Sequence, residues 1–265
     1  MARVRYGART EREIAATRTA SARLPAIWST GVVAVWETDP DAVAAVLPPP
    51  LKPTADPLVR VNISKVDLPG YPLGAGSVAV AAAHGEVDGW YPLVMPMTHE
   101  RALIGGREVF GEPKKLGRVT VERDGPVVRA SLERHGIAFV EVRGAVSGEL
   151  PLPEPSRTTD FYFKFLPSVD GSGFDGDPVL VHCVRHEKMR RLERLTGDVL
   201  LRESGYDPVA DLPVLRLLGL TLGEKTSDQS GRVVERVDAQ ALLPYLHQRY
   251  DDPLHTHDGP PEGSA

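Results

Sequence analysis

Along much of the chain, apolar and polar residues change places with a period of two. Pro57-Leu58-Val59-Arg60-Val61-Asn62-Ile63-Ser64-Lys65-Val66 alternates through its length, and in extended backbone that alternation puts one set of side chains on each face of a sheet. Ile137 to Val146 does the same after Gly136. Gly31-Val32-Val33-Ala34-Val35-Trp36 is a β-branched apolar run, and Ser77 to Ala83 is small and apolar on both faces, the pattern of a crowded strand. Trp90 to Met97 reads as a strand whose Pro92 and Pro96 assign it to an edge or a bulge. Arg118 to Glu122 and Val127 to Leu132 flank Asp124-Gly125, a hairpin signal. Phe161 to Leu166, Val179 to Val184, Gly197 to Arg202 and Val214 to Thr221 complete the strand candidates.

Helical signals are fewer. Thr38 or Asp39 is placed to cap a short helix with Pro40 in its first turn, and Pro48-Pro49-Pro50 must end it. His99 to Arg107 predicts a short helix ended by glycine, and Asp238 to His247 a short amphipathic one. Residues 186–196 are charge-dense, and their spacing fits a strand or a helix with a solvated face better than a phosphate-binding strip. Residues 1–23 form a polar arm, 24–251 a single domain, and 252–265, rich in Pro and Gly, a disordered tail. Many short strands with few peripheral helices predict a mainly β fold, an antiparallel sheet closed on itself or packed in two layers, with a central cavity for a small ligand.

Composition narrows the possibilities. At 265 residues with 42% hydrophobic content the chain can bury a large core, and a net charge of −5 supplies no basic field for nucleic acid or an anionic membrane. The lone Cys183 excludes an intramolecular disulfide and multi-cysteine zinc patterns and suits a reducing compartment. No run approaches the roughly 18 apolar residues of a membrane span, and Met1 to Arg23 lacks the apolar segment of a secretory signal. A soluble cytoplasmic protein without nucleic-acid or membrane partners is expected. Phosphate loops, dinucleotide glycine fingerprints, HExxH and GxSxG are absent.

The chemistry concentrates at Lys114-Lys115. On spacing alone an adjacent lysine pair is ordinary surface charge. Its setting is not ordinary: Gly106-Arg107-Glu108 followed by Gly111-Glu112-Pro113-Lys114-Lys115-Leu116-Gly117 resembles the signature of the acetoacetate decarboxylase superfamily. Trp36-Glu37-Thr38-Asp39-Pro40-Asp41-Ala42-Val43, Leu47-Pro48-Pro49-Pro50-Leu51, Phe163-Lys164-Phe165-Leu166-Pro167 and Pro208-Val209-Ala210-Asp211-Leu212-Pro213-Val214 resemble other parts of that family, so the likeness covers about residues 30–250. It implies a cone-like antiparallel β barrel assembled into homo-oligomers, acting on a small keto substrate without a cofactor or a metal. It also implies that Lys114 is the Schiff-base residue and Lys115 its partner. Acetoacetate decarboxylase is itself a known example of a lysine activated by desolvation or a neighbouring cation, and it is applied here by resemblance only. An apolar cavity disfavours ammonium and leaves the amine free to attack a carbonyl.

Strand geometry complicates the pair, because successive side chains on a strand point to opposite faces and Lys115 would then be a structural charge. Departures from the family pattern complicate the reaction. Aligned without gaps, the family's pocket arginine falls at Ser29 and its two glutamates at Asn62 and Ala75. Glu112, two residues before Lys114, is the first candidate to replace their acid/base role. Lys114, Lys115 and Glu112 are therefore the catalytic candidates, and Ser29, Asn62, Tyr91 and Met97 the substrate-binding ones. The imine specifies an intermediate and not a reaction: a lyase decarboxylating a β-keto acid and one performing aldol or dehydration chemistry both fit. The alternative is a barrel that binds a small molecule, or serves a structural role, without catalysis.

Overall fold

The computed structural model describes residues 4–22, 26–68 and 70–251. The expected tail, 252–265, lies outside them. Among the described residues eleven strands form one sheet: β1 (Trp28–Glu37), β2 (Leu58–Leu68), β3 (Tyr71–His84), β4 (Val87–Met97), β5 (Lys114–Leu116), β6 (Arg118–Asp124), β7 (Val127–Arg134), β8 (Ile137–Glu149), β9 (Ser156–Lys164), β10 (Val179–Leu201) and β11 (Arg216–Arg236). The order β11-β1-β2-β3-β4-β9-β10 returns to β11 and so closes a ring. Pairing is antiparallel except where β4 meets β5 and, through the single bridge Trp90–Asp160, β9. That weakly paired flank of β4 is where Pro92 and Pro96 sit, and the ladder opposite is bulged at Val78/Ala79.

β10 corrects the sequence reading most. The two strand candidates and the charged stretch between them are one 23-residue strand. Its first part pairs with β9 and β11, and its end, from Glu193, pairs with β8. Bulges at Leu180/Val181, Met189/Arg191 and Arg194/Leu195 bend it from the ring into the wing β8-β7-β6. In that wing Gly125-Pro126 joins β6 to β7, and His135-Gly136, both with positive φ, joins β7 to β8.

Among the described residues four α-helices lie outside the sheet: α1 (Glu11–Ala22), α2 (Pro40–Val46), α3 (Glu100–Phe110) and α4 (Ala239–Leu242). Thr10 and Glu13 form a reciprocal capping box at the start of α1, which lies within the expected arm and is exposed from Glu11 to Thr19. Asp39 caps α2 through Asp41 N–H at 2.8 Å, as its sequence predicts. The expected helix at 238–247 is split: Asp238 caps α4, and from Leu243 the chain continues as a tighter 3-10 turn to Arg249 with Pro244 at its start.

The main core lies between ring and wing, where Val59, Val61 and Ile63 of β2 meet Leu132, Phe139 and Val140. The polar positions of the same strand, Arg60, Asn62 and Ser64, therefore face the inside of the ring. They line a cavity rather than bulk solvent.

Candidate active site

A cavity of about 440 Å³ occupies the interior of the ring. β5 delivers Lys114 to it, since Lys114 pairs with Met95 at the open flank of β4 and the strand alternation turns Lys115 the other way. The turn before β5 is set by Gly111, whose φ of 83° favours glycine and whose N–H donates to Arg107 O at 3.2 Å. Glu112 N–H bonds back to Gly106 O, and Lys114 N–H donates to Glu112 O at 2.8 Å around Pro113. Arg107 Nη1 donates to Lys114 O at 2.9 Å, while buried Arg249 donates to Gly111 O at 2.6 Å and Phe163 O at 3.0 Å. Two guanidinium groups thus fix the backbone on which the lysine is mounted.

The helix expected to end at the Gly105-Gly106 pair runs through it to Phe110. Gly106 serves packing: a Cβ there would lie 2.0 Å from Glu112 Oε2 and 2.6 Å from Lys114 Nζ. The bare backbone of α3 is therefore what leaves room for the pair.

Lys114 Nζ lies 2.7 Å from Glu112 Oε2 and donates to Ala102 O at 3.2 Å. The contact with Oε2 is a close charge pair without hydrogen-bond alignment, so Oε2, which is fully buried, retains unused acceptor capacity. Glu112 Oε1 accepts from Arg185 Nη2 at 3.1 Å. Arg185 Nε donates to Asp160 Oδ2 at 2.6 Å, Nη1 to Gln229, and Nη2 also to the Tyr162 hydroxyl. Arg60 Nη2 donates to Asp160 Oδ1 at 3.0 Å. Burial pushes Asp160 up, but Arg60 and Arg185 outweigh it and hold the carboxyl below its ordinary range. Burial likewise pushes the Arg185 guanidinium down, while Tyr162, Asp160 and Glu112 raise it well above its usual value. Burial, reinforced by Asp160, raises the Tyr162 hydroxyl.

The residues named from sequence divide. Ser29, Asn62 and Met97 line the cavity with Lys114 and Glu112, as does Ala75. Ser29 Oγ is bonded to Lys225 O and Asn62 Oδ1 accepts from Ser64, so neither stands in for an arginine or an acid. Tyr91 is buried away from Lys114, its hydroxyl donating to Gln248 Oε1 at 2.7 Å beside Phe163. Lys115 lies on the far side of β5, 3.2 Å from Asp251 and 3.5 Å from Asp207, in a network that Arg134 completes. Lys115 faces away from this cavity by strand alternation, whereas Tyr91, an even number of residues from Met95 and Met97, is turned to the opposite surface by the bulge in β4 between Pro92 and Val94.

The chain matches the family model described as acetoacetate decarboxylase over residues 11–237. It belongs to the acetoacetate decarboxylase family. An acetoacetate decarboxylase of Chromobacterium violaceum is 32% identical over 205 residues, covering 71% of this chain and 78% of that one. A solved acetoacetate decarboxylase superposes with a TM-score of 0.70 at 20% identity, covering 80% of this chain and 91% of the other. The enduracididine biosynthesis enzyme MppR complexed with pyruvate gives 0.64 at 16% identity, covering 80% and 91%. The sequence likeness and the closed, mainly β sheet agree on an acetoacetate decarboxylase-like enzyme.

Arg60, Asp160 and Arg185 are the charged neighbours of Glu112 in the cavity that the sequence reading missed. For Arg60 the signal was present, since it shares the period-two face of Asn62. Arg185 stands two residues beyond Cys183 and four beyond Val181, which pack on the cavity side with Met95 and Met97. Asp160 carries no local signal. Among the described residues no group of three His, Cys, Asp or Glu side chains is arranged to hold a metal ion, and no helix is long and apolar enough to cross a membrane.

Proposed function

We propose that this chain is a Schiff-base lyase acting on a keto acid, with Lys114 as the nucleophile and Glu112 as the group that moves protons. The observation that carries the reading is Lys114 Nζ at the cavity inside the ring, 2.7 Å from a buried carboxylate oxygen that accepts no aligned hydrogen bond.

Glu112 takes a proton from the lysine, and the free amine adds to the substrate ketone. Returned to the carbinolamine oxygen, the proton lets water leave and an iminium form. The iminium draws electrons from the bond to the β-carboxylate and carbon dioxide departs; Glu112, having given the lysine's proton to the departing water, takes a new one from solvent and delivers it to the enamine carbon. Hydrolysis releases the ketone and restores Lys114. Arg185, bonded to Glu112 Oε1, keeps that carboxylate oriented while its other oxygen exchanges the proton. Decarboxylation is preferred to aldol or dehydration chemistry because the curated relative that carries the sequence likeness is named for it. The likeness to the pyruvate complex of MppR supports keto-acid binding on the same fold.

Borohydride reduction with acetoacetate, pyruvate and longer β-keto acids, followed by peptide mass analysis, should place the adduct on Lys114, and Lys114→Ala should abolish it. No adduct with any of these acids would overturn the reading; binding without an adduct would instead favour the non-catalytic barrel. The reading also includes a homo-oligomer in the cytoplasm. Exposed Ile104 and Val109 on α3, with Leu116 beside them in sequence on β5, support subunit contact there, and sedimentation equilibrium tests it.

A further inference from the structure

The charges lining the cavity do not balance. Arg60, Lys114, Arg185 and Lys225 face Glu112, Asp160 and Glu187, four cations against three carboxylates. Lys225 and Glu187 satisfy one another at 2.6 Å. What remains is a chain of alternating charge, Lys114–Glu112–Arg185–Asp160–Arg60, with a cation at each end. One end is the nucleophile proposed above. The other has no assigned role.

The two arginines differ in what they have left to offer. Arg185 has every guanidinium nitrogen engaged, on Asp160, Gln229, Glu112 and Tyr162. Among the described residues Arg60 hydrogen-bonds only Asp160, through Nη2, which leaves Nε and Nη1 without a protein acceptor. Its guanidinium lies over the Trp90 ring, 4.5 Å from the centroid, and this stacking fixes the plane of the fork. Asp160 cannot neutralise it fully, because the same carboxylate holds Arg185 at 2.6 Å. A planar, immobilised guanidinium with free donors in a walled cavity is a carboxylate receptor.

We infer that Arg60 is the specificity-determining residue that receives the substrate carboxylate, so that a monoanionic acid completes the charge balance of the cavity. This rests on the Lys114 reading for the chemistry but not for the binding. It puts the anion site on β2, in the side-chain row of Asn62, while the position aligned with the family's arginine is Ser29, whose hydroxyl is bonded to backbone. Asp160 is a positioning residue that holds Arg60 against Trp90.

The test uses acids that cannot condense with an amine. Calorimetric titration of the intact protein with 3-hydroxybutyrate and 3-hydroxyoctanoate should show binding, weakened at least tenfold in Arg60→Gln and partly restored in Arg60→Lys, with near-ultraviolet circular dichroism confirming that both variants fold. In parallel, the ratio of borohydride trapping for acetoacetate over methyl acetoacetate should fall at least tenfold in Arg60→Gln. Absence of hydroxy-acid binding by the wild type, or equal affinity and an equal ratio in Arg60→Gln, would overturn the assignment. Arg60-dependent binding of the hydroxy acids without any trapping on Lys114 would overturn the Schiff-base reading and uphold this one.

Discussion

Gly106 has no side chain, and that is its contribution to the site. Any Cβ would enter the space held by Glu112 Oε2 and Lys114 Nζ, both of which are further constrained, by Arg185 and by Ala102 O. Gly106→Ala is expected to cost about 1–3 kcal/mol from overpacking and to suppress trapping on Lys114, measured by chemical denaturation and peptide mass analysis. Lys115 makes the opposite case. It lies among Asp207, Asp251 and the carbonyl of Tyr250, away from the cavity. Lys115→Met should therefore destabilise the protein by about 1–3 kcal/mol, the cost of buried acceptors left short of a donor, while trapping on Lys114 persists. Loss of trapping with unchanged stability would return Lys115 to the reacting centre.

At the scale of elements, β10 faces two environments with one alternation. Val181, Cys183 and Arg185 turn toward the cavity side, and burial pushes the Cys183 thiol up to about 11, which suits an inert packing residue. His182, between them, turns outward against Phe161 and is bonded through Nε2 to His84 Nδ1 at 2.9 Å, with Glu235 on the other nitrogen of His84. Burial, then the charges of His84 and Arg232, lowers His182 from 6.5 to about 4. An unfolded chain accepts that proton near pH 6.5 and the folded one does not. The contribution is thus fully present above pH 6.5 and is lost as the pH falls from 6.5 to about 4. Denaturation across that range should show stability falling by on the order of 1–3 kcal/mol, with a flatter profile in His182→Gln. Identical profiles would remove His182 as the cause.

Over the whole molecule, ring closure determines which polar residues meet. The cavity volume of about 440 Å³ exceeds what acetoacetate occupies: its heavy atoms, at no more than about 30 Å³ each, fill roughly half of it. Acids longer than acetoacetate are expected to fit, and Ala75→Phe, which adds a ring to the wall, should shift trapping toward the shorter acids. An unchanged chain-length preference would show that the substrate does not use that wall.

Periodicity was enough to find β2, the β6–β7 hairpin and the Asp39 cap, because each is a local match between side-chain pattern and backbone geometry. The stretch from Gly106 to Gly117 likewise carried the family and the lysine pair. Alternation even stated that Lys114 and Lys115 must part, without stating which would face inward. Tertiary structure alone decided that, since the cavity side of β5 is defined by its parallel pairing with β4. It also decided that the polar face of β2 looks onto a cavity, that two strand candidates and the charged stretch between them fuse into β10, and that Arg60, Asp160 and Arg185, a hundred residues and more apart at the extremes, join Glu112 in one charge network. A sequence encodes which face of a strand is polar; whether that face meets water or another strand's charges depends on how the sheet closes.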